Sequence, residues 1–430
     1  MICENITTKN NTLYFAGVST TELAEKYKTP LYIMDENRIR KNCRVYTEAM
    51  KKYFDGNAAV LYASKSASFK YIYKIAAEEN MGADVVSAGE IYTALKAGFP
   101  LENAYFHSNN KTDSDVDFAI KNGIGCFVVD NAEELEVIDT YAKKYGKKQK
   151  ILLRLTPGID THTYEAVNTG KVDSKFGTAI ETGQAFEITK YALGFENIEL
   201  AGFHCHIGSQ VFDSDTFFRG SEIMLNFISE VQKKLGFETS ELNLGGGYGV
   251  RYTENDPVID IDANIKQVSE VVKKKCSELG IRVPKILMEP GRSISADAGM
   301  TLYTVGTVKK ITGYKNYVSV DGGMTDNPRY ALYGSEYTLF VADLAEEAPD
   351  FECSVVGRCC ESGDIIQENV MLPQPKRGNI IAVCTTGAYN YSMASNYNRV
   401  PRPPIVMIKD GVDFTVVKRE SLDDIIMNDL

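Results

Sequence analysis

Lys65 ends an apolar run, Ala58-Ala59-Val60-Leu61-Tyr62-Ala63-Ser64-Lys65, just before a helical segment. A lysine at the end of a buried strand is badly placed for a solvated surface charge. Burial favours the neutral amine, a nucleophile that condenses with carbonyl groups. The same spacing also suits a lysine that snorkels its ammonium to water. Gly245-Gly246-Gly247 follows the strand-like Leu242-Asn243-Leu244. Glycines at a strand end let backbone N–H groups approach an anion, and Ser209, in His206-Ile207-Gly208-Ser209, is placed to add a hydroxyl to a phosphate. A tight turn needs the same glycines. Glu289 opens Glu289-Pro290-Gly291-Arg292. Its carboxylate can pair with a protonated ring nitrogen of an aromatic cofactor, or with an arginine at the strand end.

Two further constellations stay open on spacing alone. In His204-Cys205-His206, strand alternation puts both imidazoles on one face, as two zinc ligands would be. The chain has four histidines, the others being His107 and His162, so a metal-dependent hydrolase would use nearly all of them. One imidazole stacked on an aromatic cofactor, with the other in the core, fits equally, and no metal is expected. In Cys359-Cys360-Glu361-Ser362-Gly363-Asp364, a strand would turn the two thiols to opposite sides. At most one then serves a given site and the other packs in the core.

These residues need elements to position them. From about residue 58 to 292, apolar runs alternate with amphipathic segments. The runs are Val60–Ser64, Asp84–Ser87, Ala104–His107, Cys126–Val129, Ile151–Leu155, Ala201–His206, Leu242–Leu244 and Ile286–Met288. Between them, Ala88–Gly98 places Ile91, Ala94, Leu95 and Gly98 on one helical face, with Gly98 able to end the helix. Asn131 is a plausible N-cap for a helix whose Leu135 and Ile138 share a face. Eight strands alternating with helices predict α/β architecture, a TIM-like (β/α)8 barrel over 36–299, with an open doubly wound sheet as the alternative. The strand ends then read Lys65, Ser87, His107, Asp130, Arg154, His206, Gly245-Gly246-Gly247 and Glu289, too polar a set for purely structural ends. After residue 300 the texture is β-rich: Thr301–Val308, Tyr317–Val320, Phe351–Val356 and Ile380–Cys384. Residues 1–35 and 300–430 therefore predict a second, all-β domain carrying Cys360 and Tyr389.

With 430 residues, 44% of them hydrophobic, the chain has material for two or three domains. A net charge of -11 argues against nucleic acid as a partner. Nine scattered cysteines suggest free thiols in a reducing cytoplasm. The N-terminus has no signal-peptide pattern, and no apolar run approaches the roughly 20 residues a bilayer span needs.

In order along the chain stand Tyr62-Ala63-Ser64-Lys65, Ser174-Lys175-Phe176-Gly177, His204-Cys205-His206-Ile207-Gly208-Ser209-Gln210, Gly245-Gly246-Gly247-Tyr248-Gly249, Glu289-Pro290-Gly291-Arg292, Cys360-Glu361-Ser362-Gly363-Asp364, and Gly387-Ala388-Tyr389 with Ser392–Asn398. Together they resemble the pyridoxal phosphate-dependent decarboxylases that join an alanine-racemase-like barrel to a β domain, and within them the diaminopimelate decarboxylases. The resemblance implies that Lys65 holds pyridoxal phosphate covalently and His206 stacks on its ring. Ser209, Gly247 and the backbone of Glu289, Pro290, Gly291 and Arg292 would grip its phosphate. The Glu289 side chain would face the ring nitrogen, Tyr389 would touch cofactor and substrate, and Cys360 would be the proton donor. Arg292, Arg329, Tyr333 and Glu361 would bind substrate, Glu361 taking an ammonium. Cys360 and Glu361 would reach the neighbouring subunit's site, which implies a homodimer.

The implied reaction is decarboxylation of meso-2,6-diaminopimelate to L-lysine and CO2. An Arg329 facing a substrate carboxylate suits that substrate better than ornithine, whose distal ammonium an arginine would repel. Tyr330 where many relatives have proline, and Ser66 where alanine is usual, are departures that leave fine specificity open. Three other readings stand beside it. One is a relative acting on another basic amino acid, such as D-ornithine, D-lysine or carboxynorspermidine. Another is an inactive homologue that binds and regulates a partner, which Lys65, Glu289, Cys360 and Tyr389 argue against. The third is a metal hydrolase built on His204 and His206, for which the order of motifs is wrong.

Overall fold

Eight parallel strands close on themselves in the first of two compact units, Cys43–Gly249 with Val258–Gly291. The structure is a computed structural model, which describes residues 2–159 and 174–430; His162 lies outside the described residues. The strands are Ala58–Ala63, Gly82–Val85, Ala104–Phe106, Cys126–Val129, Gln149–Thr156, Ile198–His204, Glu241–Asn243 and Lys285–Met288. Closure is direct: Met288 registers with Val60, so the eighth strand pairs with the first. That pairing excludes the open doubly wound sheet, which would leave both as edges. Register also brings the strand ends level, with Ala63 opposite Asp84, Val85 opposite Phe106, and His204 opposite both Arg154 and Asn243. Leu61, Tyr105, Cys126, Val128, Leu152, Ala201 and Leu287, from six of the strands, fill the interior. Residues past the strand ends are thereby held on one rim by a packed core.

Local signals set the intervening helices. Ser87 accepts from the Glu90 N–H and caps Ala88–Lys96, while Asn131 accepts from the Glu134 N–H and caps Ala132–Lys144. Leu135 and Ile138 are fully buried, as are Ile91 and Ala94. Leu95 departs from the expected face and is 38% exposed. It lies at the margin of a stripe that one turn of apolar residues does not define tightly.

The second unit comprises the chain through Asn42, Val250–Pro257 and Arg292–Leu430. Its spine is the long strand Gly299–Ile311, which pairs antiparallel with Leu31–Asp35, Lys315–Val320 and Ile380–Cys384. Alternation along the spine feeds two cores: Met300 and Leu302 join Leu13, Ile33 and Val406, while Tyr303 and Val305 join Val318, Val355 and Ile381. The four β-rich runs expected after residue 300 all lie in this sheet, and Leu31–Asp35 adds to it. Three shorter N-terminal strands, Ile6–Lys9, Thr12–Phe15 and Val18–Ser19, form a separate antiparallel sheet. Among the described residues no helix is long and apolar enough to cross a membrane.

Candidate active site

Lys65 sits on a single turn, Ser64–Ser66, directly after the first barrel strand. The ladder to the eighth strand ends there, its last rung the Ala63 N–H bound to the Pro290 carbonyl at 3.0 Å. Gly291 completes the fit, for a Cβ there would lie 2.9 Å from that of Ala63. The expectation of a buried lysine needs correcting. The Lys65 side chain is 42% exposed, and its ammonium lies 3.5 Å from Oδ2 of the fully buried Asp84. A nucleophilic amine must be reachable, and this one is. Glu90 braces the turn, its Oε2 accepting from the Val86 N–H at 2.8 Å and lying 2.9 Å from Ser64 Oγ. Burial raises the Glu90 pKa.

Glu289 lies just past the eighth strand, almost fully buried. Three nitrogens converge on its carboxylate: Asn243 Nδ2 at 2.6 Å, His107 Nε2 at 2.8 Å and His204 Nε2 at 3.1 Å. Burial alone would push the carboxyl pKa up, but the two imidazoles hold it well below the ordinary carboxylate range. His204 itself is pulled down to about 4, chiefly by burial, so near neutrality it donates from Nε2 as a neutral ring. The result is an ionised carboxylate in a dry place. His107, His204 and Glu289 also form the one group of three potential metal ligands among the described residues, with ligand atoms within 4.8 Å of one another. This is not the His204–His206 pair expected from alternation. The strand ends at His204, and His206 lies in the loop beyond it.

His206 accepts from the Gly246 N–H through Nδ1 at 3.3 Å. Burial first, then the positive charges of Lys65 and Arg154, hold its pKa well below the ordinary value. It is therefore a neutral, flat ring with its tautomer set by the backbone. The glycine triplet earns its composition. Gly245 and Gly247 have φ of 69° and 114°, and a Cβ on Gly247 would stand 2.4 Å from the Gly208 carbonyl. Asn243 joins the two motifs, donating to Glu289 while accepting from the Gly245 N–H at 2.9 Å. That role went unread in the sequence, where the single polar residue of Leu242-Asn243-Leu244 was the available signal. Ser209 is half-buried in the loop after His206.

Pyridoxal phosphate asks four things of a protein: a reachable lysine, an ionised carboxylate for its ring nitrogen, a flat neutral face, and a phosphate cradle free of side chains. The donor set of the barrel unit fits each in turn, with Lys65, Glu289, His206 and the Gly245–Gly247 turn.

The second unit holds the remaining residues singled out by sequence. Arg329, 4% exposed, opens the short helix Arg329–Tyr333 and donates to Tyr337 Oη at 2.9 Å and Ser335 Oγ at 3.2 Å. Its guanidinium also faces the Tyr252 ring at 4.5 Å. Arg292 donates to Tyr252 Oη at 2.8 Å and lies 4.7 Å from the Tyr389 ring centre. Tyr389 has φ of 60°, a left-handed conformation that costs a bulky residue energy and clusters at functional sites. Tyr333 is half-buried. Tyr252 and Tyr337 were not read as site residues, since no spacing links them.

The Cys359–Asp364 segment is a loop rather than the strand considered from sequence; Phe351–Val356 ends before it. Buried Asp364 anchors the loop by accepting from the N–H groups of Met324 and Cys359 at 2.6 and 2.7 Å. The thiols differ by depth instead of by strand face. Cys359 is partly buried, and burial, then Asp364, push its pKa up to about 11. Cys360 is exposed, its N–H bound to Asn398 Oδ1, and Glu361 beside it is also exposed.

The model of the family described as pyridoxal-dependent decarboxylase, pyridoxal binding domain, matches residues 36–296. The chain is 44% identical to the diaminopimelate decarboxylase of Bacillus subtilis over 97% of this chain and 95% of that protein. It is 42% identical to that of Staphylococcus aureus over 98% of each. A crystal structure of diaminopimelate decarboxylase from M. jannaschii in complex with L-lysine superposes with a TM-score of 0.91 at 32% identity, covering 99% of this chain and 98% of that one. Full-length similarity of this kind, on a barrel rim whose donors suit the cofactor, places the chain in the diaminopimelate decarboxylase family of pyridoxal-dependent enzymes.

Proposed function

We propose that this chain decarboxylates meso-2,6-diaminopimelate to L-lysine and CO2, the last step of lysine biosynthesis, with pyridoxal 5'-phosphate as cofactor. Bound at Lys65, the cofactor supplies an electron sink for the bond to the departing carboxylate. Glu289, kept ionised by His107 and His204, holds a proton on the ring nitrogen, and neutral His206 offers the ring a face. Ser209, Gly247 and the Glu289-Pro290-Gly291-Arg292 backbone take the phosphate. Arg292, Arg329, Tyr333 and Tyr389 bind the substrate, and Glu361 takes its ammonium. Cys360 returns a proton to the carbon that has lost CO2.

The observation that carries the substrate assignment is Arg329: a buried guanidinium whose hydrogen-bond acceptors are two neutral hydroxyls. A buried cation so surrounded is costly until an anion meets it, and a substrate carboxylate is that anion. The exposed Cys360 and Glu361 support a homodimer in which each subunit completes its neighbour's site. The cofactor-binding domain is proposed to run over 36–299, with 1–35 and 300–430 forming the other; the span of the family match supports this. The nine cysteines, all free in the structure, support a cytoplasmic enzyme. Purified protein with added pyridoxal phosphate and meso-diaminopimelate tests the reading. Lysine formed at an enzymatic rate is expected. Unchanged diaminopimelate, with the cofactor absorbance intact, would overturn the substrate and redirect the search to another basic amino acid.

A further inference from the structure

Arg329 is a buried cation of the second unit, and two tyrosines constrain it. Tyr337 accepts from Nη1 at 2.9 Å, and the guanidinium carbon lies over the Tyr252 ring, 4.5 Å from its centre. The two rings meet edge to face, 5.5 Å apart at 81°. Their backbones are tied as well: the Tyr252 carbonyl accepts from the N–H and the hydroxyl of Thr338, the residue after Tyr337, at 3.1 and 2.9 Å. Asp256 pins the other side of the turn, accepting from the N–H groups of Tyr252 and Thr253 at 2.8 Å each. Tyr252 also serves Arg292, whose Nη1 donates to its hydroxyl at 2.8 Å. One aromatic pair therefore fixes the plane of one arginine and one edge of another.

A guanidinium binds a carboxylate bidentately most tightly when its plane is set in advance. Its five N–H donors otherwise sample many orientations, and ordering them on binding lowers affinity. We infer that Tyr252 and Tyr337 are positioning residues which preset Arg329 for a substrate carboxylate, and so set the preference for substrates that carry one at the non-reacting end. This rests on the reading of Arg329 as the carboxylate ligand.

The test separates the two ideas. L-Lysine keeps the carboxylate of the non-reacting centre, whereas cadaverine, its decarboxylated counterpart, has none. Inhibition of diaminopimelate turnover by each is measured for the wild-type holoenzyme and for Tyr337→Phe, Tyr252→Phe and Tyr252→Leu. Tyr337→Phe removes one hydroxyl and no volume from the ring. It is expected to weaken L-lysine inhibition and raise KM for diaminopimelate about tenfold, the loss typical of a hydrogen bond to a charged group. Cadaverine inhibition, kcat and the cofactor spectrum should change less than about twofold, well below the tenfold that one such bond carries. Tyr252→Leu, which also releases Arg292, should still weaken L-lysine inhibition more than cadaverine inhibition, and Tyr252→Phe, which keeps the ring over Arg329, should retain more of the lysine affinity. Equal losses for L-lysine and cadaverine would make the tyrosines merely structural and overturn the inference. If Arg329→Ala leaves L-lysine inhibition unchanged, the underlying reading of Arg329 fails instead.

Discussion

Replacing Asn243 by alanine is the sharpest test of how the barrel rim is held. The side chain is fully buried and makes two bonds that no neighbour can supply, to Glu289 at 2.6 Å and from the Gly245 N–H at 2.9 Å. Alanine leaves a buried N–H unsatisfied, at about 1–3 kcal/mol, and removes a hydrogen bond to a charged group, at about 1.5–3 kcal/mol. Entry of water into the vacated volume offsets part of this, so a net loss of about 3 kcal/mol is expected. Urea denaturation of the cofactor-free protein reads it as a lower midpoint. Cofactor affinity should fall with it, because the same side chain orders both the carboxylate and the glycine turn. Asn243→Asp sharpens the argument. It keeps an acceptor for Gly245 but sets a second carboxyl against Glu289, so one of the two must take up a proton. A carboxyl pKa raised in the folded state stabilises below its unfolded value and loses that contribution as pH rises. This variant should therefore gain less stability than the wild type between pH 5 and pH 8. Asn243→Ala within about 0.5 kcal/mol of wild type, the range of an ordinary surface change, would refute the bridging role.

Lys65→Ala should abolish the cofactor's visible absorbance; a retained, borohydride-sensitive chromophore would remove Lys65 from its role. Cys360→Ala should keep the cofactor and lose most turnover while Cys359→Ala, a partly buried thiol, does little; the reverse pattern in steady-state assays would exchange their roles. His204, held at about 4 against an ordinary 6.5, declines a proton that the unfolded chain accepts, so stability should fall as pH drops from about 6.5 to about 4. Glu289, held below its ordinary value, adds a loss as pH falls below that value. His204→Gln, which can still donate an N–H to Glu289, should flatten the upper part of this acid slope by up to about 1.4 kcal/mol per pH unit. An unchanged slope in urea midpoints between pH 4.5 and 7 would assign the acid sensitivity elsewhere.

The barrel was legible because its strands are buried on both faces and so appear as short apolar runs, each stopped by a polar residue. Cys126–Val129 has the same bounds in sequence and structure, and the other seven differ by a few residues at their ends. Lys65, His206 and Glu289 could be found because each stands just past such a run. In the second unit, Ile405–Lys409 is a fully legible apolar run that escaped notice behind Pro401-Arg402-Pro403-Pro404, which reads as a loop. It is in fact the parallel neighbour of Leu31–Asp35. Val412–Val417, which alternates apolar and polar residues over its first five positions, pairs antiparallel with Ile405–Lys409 and also went unread. For Cys359-Cys360, alternation was applied where no strand exists. The segment's geometry comes from Asp364 folding back on Met324 and Cys359, a tertiary effect with no period.

Solvent access at Lys65 was the property least available from sequence, and chemically it matters most. An apolar run predicts what surrounds the backbone of the strand, not where a four-carbon side chain ends. Here the ladder to the eighth strand ends with the bond from the Ala63 N–H to the Pro290 carbonyl, and Lys65 stands half-exposed on the turn that follows. Its amine meets Asp84 at the rim instead of apolar side chains. Such a lysine is open to a carbonyl compound arriving from solvent. Desolvation falls instead on Glu289 and its two imidazoles. The division is one of burial: the Lys65 side chain is 42% exposed, whereas Glu289 is almost fully buried. A single apolar-to-polar step in sequence marks both ends alike, and only the packing beyond the strand tells them apart.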